Sequence, residues 1–187
     1  EDVEEIGGWL GIQKLLQSRR FVLLTFGLSG LYFVVTGIQF FITIYMVEDL
    51  GMPEAIVVGA FAGVSLTGPT VGVFFGGWLI DRMGGYREIT DENFTGPNPV
   101  TVTLRTCTMF GVGAVIFAMP AAFVPNPWVV LVCIWLVLFF GGALVPAMTG
   151  VVMTAVDPSI RTLSNSVSML AYNVLGYAAA PFVCGLI

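Results

Sequence analysis

Six uncharged polar residues, Thr25, Ser29, Tyr32, Thr36, Gln39 and Thr43, recur at steps of 4, 3, 4, 3 and 4 through an otherwise apolar stretch. That spacing keeps all six on one face of a helix. Hydroxyls and a carboxamide so aligned can hydrogen-bond a neutral solute, water or a neighbouring helix. Glue between helices is worth about 1 kcal/mol or less per contact. Six groups along a whole helix exceed that need, so the stripe is read as a water-accessible pathway, with Gln39 as the leading ligand contact. A second polar run, Ser164, Asn165, Ser166, Ser168, Tyr172 and Asn173, then Tyr177, lies near the end of the chain. A cavity bordered mainly by these two segments is expected.

Catalytic chemistry finds little support. The chain has no His, the commonest proton shuttle and metal ligand, and its long apolar runs hold no acid and no nucleophile-base pair. Cys107, Cys133 and Cys184 are odd in number and lack paired-ligand spacing, which argues against a disulfide framework or a zinc site. No cofactor, no metal and no nucleic-acid partner is expected, and an enzyme is the least supported class.

The elements that must carry these residues are set by composition. Hydrophobic residues make up 57% of the 187, against 10% charged, where a soluble domain carries about a quarter charged. Five uncharged runs, at about 21–47, 55–80, 106–124, 128–156 and 162–187, are each long enough to cross a hydrocarbon core, which takes about 20 helical residues. Pro125-Asn126-Pro127 is a strong turn signal separating the third run from the fourth. The expected fold is all-α, a polytopic transmembrane helix bundle over residues 21–187. Residues 1–20 form an acidic tail and a short amphipathic segment, Trp9, Ile12, Leu15 and Leu16 alternating with Gln13, Lys14, Gln17 and Ser18, which lies on the cytoplasmic membrane surface.

All seven basic residues, Lys14, Arg19, Arg20, Arg82, Arg87, Arg105 and Arg161, fall in alternate gaps between the runs. Basic loops stay cytoplasmic, so the loop 81–105 is expected inside, and the sequon Asn93-Phe94-Thr95 within it should be silent. The bilayer is the first partner this composition demands. The acidic net charge of −5 resides in the tail and loops and identifies no ligand. The odd number of spans, the absent initiator Met and an apolar run reaching Ile187 are read as a truncated chain.

Small residues at Gly59 and Gly63, then Gly68, Gly72 and Gly76, step by four along the second span. Such faces allow close backbone approach in lipid and also suit an interface that slides. Pro69, Pro120, Pro146 and Pro181 interrupt four spans, which suits a bundle that bends. The third span, from Met109 to Val124, has no polar side chain and should face lipid, while Trp128 anchors the fourth at the interface.

The second span closes on Gly76-Gly77-Trp78-Leu79-Ile80-Asp81-Arg82-Met83-Gly84-Gly85-Tyr86-Arg87. Gly77, Asp81, Arg82, Gly84 and Arg87 resemble the short cytoplasmic loop motif of the major facilitator superfamily. Gly85 and Tyr86 stand where that motif usually has a basic residue, which fits its weaker second-half copy. The resemblance implies that the five spans are the seventh to eleventh helices of twelve, part of a six-helix C-terminal half whose N-terminal half is missing. Thr67-Gly68-Pro69, Gly141-Gly142, Pro146, the loop Val156 to Arg161, Asn173-Val174-Leu175-Gly176, Pro181 and Gly185 resemble spinster-like members. It further implies a secondary active or facilitative transporter working by alternating access on a small-molecule or lipid substrate. Thr36, Gln39, Thr43, Tyr172 and Asn173 would then face substrate, and Gly77, Asp81, Arg82, Gly84 and Arg87 would gate, Asp81 accepting from a neighbouring helix N-terminus and Arg82 holding a carboxylate. A membrane receptor or scaffold acting through its cytoplasmic loops is the alternative.

Overall fold

In the computed structural model, which describes residues 8–83, 99–154, 156 and 158–186, every regular element is helical. The order is α1 (Gly8–Gln17), α2 (Arg19–Glu48), α3 (Glu54–Arg82), α4 (Pro99–Phe123), α5 (Pro127–Thr154), a 3₁₀ turn (Pro158–Ile160), α6 (Arg161–Tyr172), a π-helical turn (Asn173–Ala178) and α7 (Ala179–Cys184). Five stretches are long and apolar enough to cross a membrane: Arg19–Glu48, Glu54–Arg82, Val100–Phe123, Pro127–Val152 and Arg161–Cys184.

Local chemistry sets the breaks. Ser18 separates α1 from α2 and caps the latter, its Oγ accepting from the Phe21 N–H at 3.5 Å. Gly51 ends the turn after α2 with a φ of 66°, a conformation that costs glycine nothing, and the Met52 N–H donates back to the Met46 carbonyl at 3.1 Å. Asn126 caps α5 through its Oδ1, which accepts from the Trp128 N–H at 3.1 Å, with Pro127 in the first helical position. One boundary departs from the sequence reading. Helix α4 begins at Pro99 rather than near residue 106, so the last part of the supposedly irregular loop 81–105 is helical. Proline is pre-organised for a first helical position, and neither glycine nor proline follows it through Arg105. The sequon at Asn93 lies outside the described residues.

The chain divides into two compact units, Phe41–Met148 and the pair of segments Glu1–Phe40 with Thr149–Ile187. In the first of these, α5 is the central element. Its positions Val130, Leu131, Ile134, Val137, Leu138, Ala143 and Ala147 are buried, and Met46, Val57 and Leu131 form a small core near one end. Glycine governs how α3 meets α5. A Cβ at Gly72 would fall on the Phe139 carbonyl, one at Gly76 on the Ala143 carbonyl, and one at Gly68 would sit 3.1 Å from the Trp135 carbonyl. On the other side, Gly142 faces the Pro69 backbone. Stripping side chains at every fourth position lets the two backbones touch, the geometry in which Cα–H···O contacts recur, at about 0.5–1 kcal/mol each. The Gly59 and Gly63 positions open onto space, so among the described residues it is the Gly68, Gly72 and Gly76 face that meets another helix backbone.

Aromatic rings fill the margin of that seam. Phe139 lies 5.6 Å from Trp135, 5.5 Å from Phe75 and 5.3 Å from Phe140, and Phe140 continues to Phe110 and Phe117 of α4 at 6.2 and 5.9 Å. The outward face of α4, with Met109, Val115, Ile116 and Met119, is exposed, as expected of a lipid-facing helix. Pro69, Pro120 and Pro146 sit inside continuous helices, each removing one backbone donor from its ladder without ending the span.

In the other unit α1 docks on the start of α6. Its buried stripe is Gly11 and Leu15, with Gly11 lying against Leu163 and Ile160. Trp9, Leu10 and Leu16 are exposed. The amphipathic helix is therefore present, but its docking face is marked by Gly11 and Leu15 rather than by tryptophan, Gly11 lying against the tip of the Leu163 side chain.

Leucine at Gly72 would have to displace the α5 backbone, whereas leucine at Gly59 would project into open space. Gly72→Leu is expected to destabilise the detergent-solubilised protein by about 3 kcal/mol or more, read as loss of the monodisperse peak and of its melting transition. Gly59→Leu should leave both within error.

Candidate functional site

The stripe on α2 meets the polar run on α6. Thr25 Oγ1 and Ser168 Oγ are 3.4 Å apart, and the Ser29 hydroxyl donates to the Thr25 carbonyl at 2.8 Å. Ser164 and Ser168 are buried, as are Thr25, Ser29 and Thr36. A turn further along, Gly176 sits against the α2 backbone, where a Cβ would come within 3.0 Å of the Ser29 carbonyl and 2.7 Å of the Tyr32 Cβ. The start of the stripe is thus a helix-to-helix seam rather than the open pathway expected of it. The Thr25, Ser29 and Ser168 hydroxyls bond each other and a nearby carbonyl, as lipid surroundings favour, while the buried Ser164 hydroxyl has no partner among the described residues.

Beyond the seam the helix changes character. In an α-helix, residues five apart diverge by about 140°, so Tyr172 and Tyr177 should face different neighbours. The turn from Asn173 to Ala178 is instead π-helical, closed by i→i+5 bonds that bring residues five apart onto nearly the same side. Both rings therefore reach one partner. Tyr32 stacks on Tyr172 with centroids 4.6 Å apart and lies 5.0 Å from Tyr177. Two residues fit the wide turn here: Pro181 offers no N–H to the Tyr177 carbonyl and crowds it, and Gly176 admits the α2 backbone.

The expected substrate-facing residues are distributed as follows. Tyr172 is half-buried in the tyrosine cluster. Asn173, in the π turn, is exposed, its carboxamide nitrogen donating to the Met169 carbonyl at 2.7 Å, which leaves Oδ1 free to accept. Gln39 is exposed on α2, two helical turns from Tyr32. Thr36, between them, is 2% exposed and its hydroxyl has no partner among the described residues. Thr43 is half-buried and belongs to the unit Phe41–Met148. Tyr32 and Tyr177, absent from the expected set, complete the cluster. The available signal was the pairing of Gly176 with Pro181, which marks a turn where α spacing fails.

The gate-like motif lies in the unit Phe41–Met148. Gly77 opens onto space, and Asp81 and Arg82 are exposed. Arg82 was expected to hold a carboxylate. Its guanidinium carbon lies 5.4 Å from the centre of the Trp78 ring, four residues back on the same helix face. Such a contact is worth about 0.5–1 kcal/mol where water reaches it. Gly84 and Arg87 lie outside the described residues.

Five apolar spans in an all-helical bundle define an integral, multi-pass membrane protein. The sequence model described as Major Facilitator Superfamily matches residues 3–181, and the chain belongs to that superfamily, whose members are membrane transporters. Comparison with curated proteins and with solved structures gave no match.

If the Thr25–Ser168 contact is real glue, a double-mutant cycle of Thr25→Val and Ser168→Ala should give a coupling of about 0.6 kcal/mol, the usual value for such bonds in lipid, by reversible unfolding in mixed micelles. Strict additivity would show that the two hydroxyls do not interact.

Proposed function

We propose that this protein moves a small organic or lipid-like solute across a membrane by alternating access, with the α2–α6 face as its part of the substrate site. The observation that carries the reading is the convergence of Tyr32, Tyr172 and Tyr177, with exposed Asn173 beside them and Gln39 further along the same helix. Polar groups left open midway along spanning helices are expensive in lipid and mark solute pathways. Superfamily membership supplies the reaction class.

In this reading the five spans correspond to the seventh to eleventh helices of a spinster-like transporter. A second six-helix half of the same protein covers the open face. The loop 81–105 is cytoplasmic, and Gly77, Asp81, Arg82, Gly84 and Arg87 act as a latch. Asp81, at the end of α3, offers a carboxylate to the positive N-terminal end of a neighbouring helix. Trp78 is where Arg82 rests when the latch is undone. The runs 21–47 and 162–187 hold no acid, so these helices supply no proton-coupling carboxylate.

Uptake by the full chain in proteoliposomes tests the assignment. Gln39→Ala removes a neutral hydrogen-bond partner and is expected to raise the apparent KM about three- to tenfold with kcat little changed. Asp81→Asn should lower kcat and leave KM near its original value. Kinetics unaltered by both substitutions would sink the site and latch assignments together.

A further inference from the structure

The α2–α6 face carries no charge, yet it gathers three aromatic rings in one place. No Asp, Glu, Lys or Arg occurs in residues 21–47 or 162–187. Several of its donors are committed: the Ser29 hydroxyl to the Thr25 carbonyl, the Asn173 carboxamide nitrogen to the Met169 carbonyl, and one of the Thr25 and Ser168 hydroxyls to the other, while the unpartnered Thr36 and Ser164 hydroxyls are buried. What remains directed outward is aromatic surface, one uncommitted acceptor and groups that both donate and accept. Asn173 keeps its Oδ1, and Tyr177, 41% exposed, keeps a ring face beside Tyr32 and Tyr172. An aromatic face is the negative end of a quadrupole, and it attracts a desolvated cation. The phenols and Gln39 can donate, but no positive side chain on this face would balance an anion stripped of water, which is a severe cost in a low-dielectric setting.

We infer that this face selects an organic cation, a solute bearing a protonated amine or quaternary ammonium group, over an anion or a neutral isostere. The cationic group sits against Tyr177 and the neighbouring phenols, accepting no bond and needing none beyond the Asn173 oxygen. The π turn is what makes this possible, since an α-helical turn would carry Tyr177 away from Tyr32 and leave a single stacked pair. The inference rests on the reading of this face as a transport site and adds the charge class of the solute.

Equilibrium binding to the full chain in lipid nanodiscs tests it with three probes of similar shape: choline, 3,3-dimethyl-1-butanol, in which carbon replaces the charged nitrogen, and the anion 3,3-dimethylbutyrate. Choline is expected to bind about tenfold or more tightly than the alcohol. Tyr177→Phe, which keeps the ring, should hold choline affinity within about threefold, while Tyr177→Leu should weaken choline by about tenfold and the alcohol hardly at all. Because Tyr177 is exposed, neither change is expected to unfold the protein, and the wild-type comparison needs no variant. Equal affinities for choline and the alcohol, tighter binding of 3,3-dimethylbutyrate, or no saturable choline binding would overturn the inference. Saturable uptake of a neutral or anionic solute that still responds to Gln39→Ala would overturn it while leaving the transport reading intact. Choline binding without uptake of any solute would support the charge class and count against transport.

Discussion

Helices in a bilayer gain nothing from hiding apolar surface against one another, because lipid is as apolar as their side chains. Everything in this fold that holds one helix to the next must therefore come from close contact or from hydrogen bonds that lipid cannot supply. The α3–α5 seam uses the first means. Gly68, Gly72 and Gly76 remove side chains where carbonyls of α5 arrive, and the rings of Phe75, Phe139 and Phe140 occupy the space on either side. The α2–α6 seam uses the second, through Thr25, Ser29 and Ser168. Exposed apolar residues on α4 need no partner under the same constraint.

That constraint also explains why the polar stripe on α2 divides into parts with different work. Near its start the groups are small and can satisfy each other in a dry contact. Further along, Gln39 is too large and too well supplied with donors and acceptors to be satisfied by one hydroxyl, and it is left open. Thr36 lies at the division, buried and without a partner. A single face thus changes from mutual hydrogen bonding to an open polar group within a few turns.

Much of this was legible in the sequence, because the signals were long and redundant. Five uncharged runs gave five spanning helices, and Pro125-Asn126-Pro127 gave the break between α4 and α5 as cap and first helical residue. The Gly77, Asp81, Arg82 pattern pointed to the superfamily that the match over residues 3–181 establishes. Local exceptions to α geometry and choices among equivalent partners were harder. Counting at 3.6 residues per turn cannot bring Tyr177 to Tyr32, since the wide turn at Asn173–Ala178 lies outside that rule. Nor could spacing decide whether Arg82 would seek an acid or Trp78, both being within reach of a long side chain. Gly59 and Gly72 look alike in a string of letters, and only the path of α5 distinguishes them.

The π turn has a mechanical meaning as well as a chemical one. A turn closed by i→i+5 bonds holds one residue more than an α turn, so everything after Ala178 is out of phase with α6 by one position, about 100° of rotation and 1.5 Å of travel. Gly37 lies against Cys184, on the segment that carries that offset. Were the extra residue to migrate along the helix or be absorbed at its end, α7 would advance like a screw against α2, and the chain would have a way to turn one end of a spanning helix while the other stays fixed.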